Sequence, residues 1–384
     1  MKKRHICFVV YSRANYARIK TAILASQCDP ELTTSVIVGA SAVLYKYGNV
    51  SQLMRSDGVN ISAELYNAVE GDLPVSMAKT TGLGILDLSQ EFLRITPDVV
   101  VTVADRFETL GTAIAASYMN ITLAHTQGGE ITGSIDESVR HACSKLAHIH
   151  FPATSEAKEV LLQMGEDENT IFLVGCPAID LAKDTPFENV STILERYSGV
   201  GFEINPNEPF LLVSQHPVTT EHLNSRDQIN ETLIAVEKTG LQAIWLWPNI
   251  DSGSDAISKK LREHRETHPD SKIHFYRNFS AEDYVNLMRN TSCIIGNSSS
   301  GIRESSFLGV PSVVVGNRQQ GRQHGRNVIS VANDSNLILG AIEEQLNHGK
   351  YEADYIFGSG DSGKQIVKVL KNIELNVQKK FKRR

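Results

Sequence analysis

Three acidic clusters fall at successive element ends. Ala104-Asp105-Arg106-Phe107-Glu108 follows the run 98–103, and Ala124-His125-Thr126-Gln127-Gly128-Gly129-Glu130 closes the next one. Gly133-Ser134-Ile135-Asp136-Glu137-Ser138-Val139-Arg140-His141 then opens a helical pattern. Taken singly, the first cluster is a structural ion pair or a site, and Asp136 with Glu137 is an acidic cap on a helix dipole. Three in succession point to acid/base chemistry, because carboxylates held close push one another's pKa apart. Gly128 and Gly129 allow a tight loop in which Glu130 can turn towards a cleft.

A second set suits an anion. Gly296-Asn297-Ser298-Ser299-Ser300-Gly301-Ile302-Arg303-Glu304 lies between the apolar run 293–295 and a helix start. A small-residue turn at a helix N-terminus exposes backbone N–H groups, its serines add hydroxyl donors, and the dipole favours negative charge. Glu304, one turn into the helix, suits ribose hydroxyls; the plainer alternative is a serine-rich N-cap. Arg318 and Arg322 stand on the glycine-containing loop after the next strand and complete a diphosphate clamp with the serine turn. His216, in Ser214-Gln215-His216-Pro217, ends another strand and is a core, catalytic or phosphate-contacting histidine. Arg13 stands where the first strand gives way to a helix, a position from which an arginine grips phosphate.

The elements that must position these groups alternate. Strands are expected at 6–10, 35–38, 98–103, 121–126, 148–153 and 171–175, with helices at 16–26, 109–119, 138–147 and 155–164; the region 40–95 reads less clearly, with an amphipathic stretch near 78–88. A second series places strands at 210–214, 243–247, 273–276, 293–295, 312–315 and 328–331, and helices at 228–238, 255–266, 281–289, 336–345 and 363–372. This is βαβ rhythm, so the fold class is α/β with parallel, doubly wound sheets. Pro186, Gly199, Gly201, Pro206 and Pro209 interrupt it, which places a domain boundary there. The expected domains are 1–185, carrying the carboxylates, and 205–360, with the last helix and a solvated basic tail (361–384) packing back on the first. Ligands of such sheets sit at strand carboxyl ends, in a cleft.

Composition narrows the class further. The chain has 384 residues, 41% hydrophobic and 21% charged, with a formal net charge of -6. That length favours two cores, and an acidic balance argues against a general nucleic-acid binder. Five cysteines without C-x-x-C spacing read as reduced thiols of a cytoplasmic protein. No apolar run reaches membrane-spanning length, and the apolar run 6–10 is too short for a signal peptide. There is no G-x-G-x-x-G for a dinucleotide and no G-x-S-x-G elbow. His141, His148 and His150 lack the spacing of a zinc site, so neither cofactor nor metal is expected.

In this order, Ser12-Arg13-Ala14, Asp105-Arg106, Gly128-Gly129-Glu130 with Ser134-Ile135-Asp136-Glu137-Ser138 and Arg140-His141, His216-Pro217-Val218-Thr219-Thr220, Pro248-Asn249-Ile250-Asp251, Gly296-Asn297-Ser298-Ser299, Arg303-Glu304 and Arg318-Gln319 resemble the hydrolysing UDP-N-acetylglucosamine 2-epimerases of sialic acid biosynthesis. The likeness spans about residues 5 to 372. It implies a GT-B-like pair of Rossmann-type domains with an interdomain cleft, and UDP held by Arg13, Arg106, Ser298, Ser299, Glu304 and Arg318, with Asn249 and Phe279 in the same binding set. It implies chemistry by Asp105 and Asp136 with His216 near the diphosphate, and a homo-dimer or homo-tetramer. The implied reaction is elimination of UDP to a 2-acetamidoglucal, then hydration to free N-acetylmannosamine.

One position departs from the pattern. Many relatives carry a glutamate where this chain has Gln127, and glutamine exchanges no proton near neutral pH. Either Glu130 or Asp136 takes that duty, or the substrate is a nucleotide-linked 2,4-diacetamido-trideoxy sugar of the legionaminic acid branch. A glycosyltransferase of the same architecture needs no acid/base set for C2, and a non-catalytic nucleotide-sugar sensor is suggested only by Gln127. Non-hydrolysing epimerases carry an alanine in the Gly-Gly position.

Overall fold

The computed structural model describes residues 3–71, 73–248 and 251–382. Its contacts divide the chain into two units: Met1–Ile131 with Ile135–Lys183 and Ile356–Arg384, and Thr132–Ser134 with Asp184–Tyr355.

The first unit is built on a six-stranded sheet: β1 (Arg4–Val10), β2 (Leu32–Gly39), β3 (Ala63–Leu65), β4 (Val99–Val103), β5 (Thr122–Thr126) and β6 (Ile149–Phe151), in the order β3-β2-β1-β4-β5-β6. Every pairing is parallel, and the order is that of a Rossmann sheet. The apolar runs read from the sequence exist because both sheet faces are covered. Ile6, Phe8, Val10, Val99, Val101 and Val103 point into one core with Ile19, Ile23 and Ile366. Cys7, Val9 and Val100 point into the other, against Leu88, Phe92, Ala113, Ala116, Val139 and Cys143. This is the period-two alternation of a strand.

The second unit has seven strands: β7 (Gly199–Gly201), β8 (Phe210–Ser214), β9 (Gln242–Leu246), β10 (Ile273–Tyr276), β11 (Cys293–Gly296), β12 (Ser312–Val315) and β13 (Val328–Val331), in the order β13-β12-β11-β8-β9-β10-β7. Counted from β8, this repeats the order of the first unit, with β7 added at one edge.

Several expectations need correcting. The stretch read as a break in the rhythm holds a helix, Val190–Leu194, and strand β7, which pairs antiparallel with β10, so the second sheet is not wholly parallel. Gly201 there is a close approach: a Cβ would lie 2.4 Å from the Ile273 carbonyl oxygen. The strand expected at 171–175 is a single bridge, Ile171 to His150, because Gly175 turns at φ +81° and the chain leaves to pair Cys176 N–H with the Phe357 carbonyl at 2.8 Å. The helix expected at 16–26 is two, Arg13–Ala17 and Lys20–Cys28, broken at Arg18 and Ile19; Asn15 sits buried within the first, its amide 3.3 Å from the Val103 carbonyl. The unclear region holds β3 and a 22-residue helix, Pro74–Ile95.

The helix Ser362–Asn372 belongs to the first unit and packs its apolar face, Ile366, Val367 and Leu370, into the core beside Ile19 and Ile23. Asp180 receives its first N–H groups, Ser362 at 2.9 Å and Gly363 at 2.8 Å. The basic tail is not simply solvated. Lys379 and Lys382 make ion pairs with Glu166 at 2.5 Å and Asp167 at 2.9 Å. No disulfide joins the five cysteines, of which only Cys28 is exposed. Among the described residues no helix is long and apolar enough to cross a membrane.

Candidate active site

Strand β4 ends at Val103, and the chain then turns through Ala104 at φ +59°. That left-handed residue aims Asp105 and Arg106 off the end of the sheet. The neighbouring sequence suggested an Asp105–Arg106 pair, but the structure partners them otherwise. Asp105 ion-pairs with the buried Arg140 and stands 3.8 Å from Arg18. Arg106 turns to Glu108, with contacts of 3.0 and 3.2 Å. Adjacent residues at a strand end point in different directions, so helices, not sequence neighbours, supply the counter-charges.

Arg140 is the hub of this set. It is 0% exposed and lies on the helix Ile135–Leu146, one turn beyond Asp136, which is the spacing that places two side chains on one helix face. Its guanidinium donates to the Glu130 carbonyl at 2.6 Å as well as to Asp105. Burial opposes its charge, but the carboxylates of Asp105, Glu130 and Asp136 outweigh this and hold its pKa above the ordinary value. The three carboxylates singled out from the sequence thus act on one buried cation. Arg140 and Arg18 were not singled out as site residues; the i, i+4 spacing from Asp136 was the available signal for Arg140.

His125 fixes the turn. Its ring lies between the Ala104 carbonyl, 2.7 Å from Nε2, and the Ser144 hydroxyl, 3.0 Å from Nδ1. The carbonyl only accepts, so Nε2 carries a proton. Burial is the main cause that pushes its pKa down to about 4. Since the folded state disfavours protonation, stability from this group is complete above about pH 6.5 and is lost as pH falls towards 4. Urea titrations of the protein should show a loss on the order of 3 kcal/mol across that window, and His125→Gln should flatten that part of the profile. An unchanged profile would remove this account of the ring.

In the second unit, strands β8 and β11 lie side by side and end together, with Gly296 opposite Ser214. Gly296 has φ +129°, and a Cβ there would meet the Ser214 carbonyl oxygen at 2.2 Å. Gly296→Ala should therefore destabilise this unit by roughly 2–3 kcal/mol, seen as a lower urea midpoint; an unchanged midpoint contradicts the close approach. The next residue, Asn297, clamps the backbone of His216 in both directions, its Oδ1 accepting from the His216 N–H and its Nδ2 donating to the His216 carbonyl, each at 2.8 Å. Arg318 and Gln319 both donate to the Asn297 carbonyl, at 3.1 and 2.8 Å. His216, the serine turn and the arginine loop, 81 and 21 residues apart in pairs, are thereby one constellation. Its organiser is Asn297, which the sequence showed only as part of a motif.

Ser298 and Ser299 are half-buried at the turn, and Glu304 lies in the first turn of the helix Arg303–Leu308. Ser300 is committed elsewhere, to Tyr284 and Ser298 at 2.9 Å each. Arg322 is buried and donates to Gln319 Oε1 at 2.7 Å, bracing the loop that carries Arg318. The Phe279 ring is 2% exposed and packed on Tyr197 and Tyr276. Arg13 opens its helix, capped by Ser12. Asn249 lies outside the described residues.

With this geometry in view, the comparison with known proteins is direct. The family model for UDP-N-acetylglucosamine 2-epimerase matches residues 25–371. The chain belongs to the UDP-N-acetylglucosamine 2-epimerase family. It is 34% identical over 377 residues, covering 98% of this chain and 97% of the relative, to the UDP-N,N'-diacetylbacillosamine 2-epimerase (hydrolyzing) of Legionella pneumophila. It is 30% identical over 385 residues, 99% of this chain and 98% of the relative, to the UDP-N-acetylglucosamine 2-epimerase of Neisseria meningitidis. The fold is that of the Methanocaldococcus jannaschii UDP-GlcNAc 2-epimerase solved with UDP-GlcNAc and UDP: TM-score 0.79 at 20% identity, over 95% of this chain and 99% of that one. The epimerase is therefore a UDP-sugar 2-epimerase with a GT-B-like pair of Rossmann-type units.

Gln127 takes a particular place in this epimerase. It is 0% exposed, has φ +61°, and donates its amide to Cys176 Sγ at 3.3 Å. A carboxylate introduced there is buried against a thiol, so Gln127→Glu should cost roughly 1–3 kcal/mol at neutral pH. Turnover should stay within about tenfold of the parent, as positioned acid/base groups elsewhere carry factors of 10²–10⁴. Urea unfolding and steady-state kinetics check both, and a large gain in turnover would mean that Gln127 is tuned for another substrate.

Proposed function

We propose that this epimerase is of the hydrolysing type, converting UDP-N-acetylglucosamine and water to N-acetylmannosamine and UDP, the first step towards a sialic acid. The observation that carries the reading is the ion pair of Asp105 with the buried Arg140, which stands one helical turn from Asp136 and donates to the Glu130 carbonyl, so that a fixed cation lies beside a candidate proton acceptor. The first step breaks C2–H and C1–O: a carboxylate takes the proton, UDP leaves with the C1–O electron pair, and C1=C2 forms. A second acid then gives a proton to C2 from the opposite face with the C1=C2 electron pair, and water adds its oxygen to C1, its own proton passing to solvent. Two faces require two groups, and Asp105 and Asp136 are assigned to them, with Glu130 in support. The C2 proton is weakly acidic, so the leaving group needs stabilising as well. We assign this to His216, Ser298, Ser299 and Arg318, with Arg13 and Arg106, and assign the ribose and base to Glu304, Phe279 and Asn249.

A second reading keeps the chemistry and changes the sugar to a UDP-linked 2,4-diacetamido-2,4,6-trideoxyhexose. What favours it is the 34% identity to the Legionella enzyme named for UDP-N,N'-diacetylbacillosamine, against 30% to the Neisseria enzyme named for UDP-N-acetylglucosamine. Both sugars, incubated separately in deuterated water and followed by NMR, decide the matter. The free 2-epimer with deuterium at C2 is expected from one of them. A nucleotide sugar epimerised but still bound to UDP would overturn hydrolysis, and two unchanged sugars would overturn the catalytic reading.

A further inference from the structure

The helix that carries Asp136 and Arg140 is fastened at its far end by a segment remote in the chain. Helix Ile135–Leu146 ends where the Ala147 N–H donates to the Cys143 and Ser144 carbonyls, at 2.9 and 3.2 Å. Lys379 adds a second donor there, to the Ser144 carbonyl at 2.8 Å, and donates to the Ala147 carbonyl just beyond the helix at 2.6 Å. A cation at a helix C-terminus also meets the favourable end of the dipole. The same ammonium lies 2.5 Å from the carboxylate of Glu166, which is buried and also holds Lys145 at 2.7 Å. His150 Nε2 stands 3.0 Å from that carboxylate.

Contacts on either side of Lys379 hold the segment. His148 accepts from the Leu123 N–H through Nδ1, so its Nε2 donates to the Val377 carbonyl at 3.1 Å. Lys382 N–H donates to the Gly165 carbonyl at 3.0 Å, and its ammonium pairs with Asp167 at 2.9 Å. The Phe381 ring covers Gly165, where a Cβ would meet it at 2.5 Å, and Lys145 lies 5.3 Å above the ring.

Ser144 links this end to the chemistry. Its carbonyl takes Lys379, and its hydroxyl meets His125, which pins Ala104 immediately before Asp105. One turn back on the same helix is Arg140, on Asp105. A shift of this helix moves both supports of Asp105 together.

We propose that residues 377–382 are a latch that sets the position of the helix Ile135–Leu146, and that Lys379 is a positioning residue for the Asp105–Arg140 pair. The inference rests on the functional reading above for its kinetic part and on geometry alone for the rest. A displacement of about 1 Å can cost as much as 10²-fold in rate. Lys379→Met should therefore lower kcat about tenfold with KM within about twofold of the parent, while amide exchange at 144–147 speeds up. Lys379→Arg keeps a cation that can reach both carbonyls and should restore most of the rate. Lys371→Met, on the helix Ser362–Asn372, removes pairs with Asp29 and Glu31 and should leave kcat and that exchange unchanged.

Parental turnover by Lys379→Met, or no rescue by arginine, overturns the proposal. Should Lys379→Met not fold, Lys382→Ala at the exposed rim is read instead, and unchanged exchange at 144–147 in it also overturns the latch. If the parent turns over neither sugar, the functional reading fails on its own, and the exchange measurements still decide the latch.

Discussion

Asp105→Asn is expected to fold and to lose about 10² to 10⁴ of kcat, the range carried by a positioned proton-transfer group. The substitution keeps the side-chain shape and an oxygen that can accept from Arg140, so the turn at Ala104 and its bond from His125 should persist. What disappears is the carboxylate assigned above to proton exchange at C2. KM should change little, because the diphosphate is assigned to other groups than Asp105. A loss confined to kcat is the mark of an interaction made in the transition state. Steady-state kinetics on the sugar that the wild-type protein accepts, with deuterium wash-in at C2 as a second readout, check this. Turnover within threefold of the parent would remove Asp105 from the chemistry and leave Asp136 and Glu130 to carry it.

Arg140→Met should be the more damaging change to the fold. The guanidinium is 0% exposed, ion-paired to Asp105 and bonded to the Glu130 carbonyl. Removing it takes from Asp105 the nearer of its ion-pair partners, Arg140 and Arg18, and from the carbonyl that donor, and breaking a buried pair in this way costs about 3–5 kcal/mol. Activity should fall below detection with it. Arg140→Lys should recover part of the stability, since a single ammonium lacks the planar fork that serves both acceptors at once. Urea unfolding is the measurement, with two transitions allowed for because the chain has two units. An Arg140→Met protein as stable as the parent would contradict the hub.

The two predictions mark the division between what was legible and what was not. Asp105 and Asp136 were legible because they stand where buried strands and helices meet, and such runs announce themselves by composition. Arg140 was legible as a motif residue but not as the partner of Asp105, because the 35-residue separation is closed by packing of the helix Ile135–Leu146 on the sheet. The same holds for Asn297, whose side chain reaches His216 across 81 residues, and for Lys379, whose basic neighbours made it look like part of a solvated tail. Strand β7 was hidden for a different reason: its glycines are turn formers by default, and only the proximity of β10 makes them an edge strand.

By itself the amino-acid sequence determined the strand–helix alternation and the strand ends that gather reactive groups, since both follow from local periodicity and side-chain type. The tertiary structure alone decided which opposite charges meet. A strand-end side chain finds its counter-ion among groups brought near by helix packing, and no spacing along the chain records that geometry.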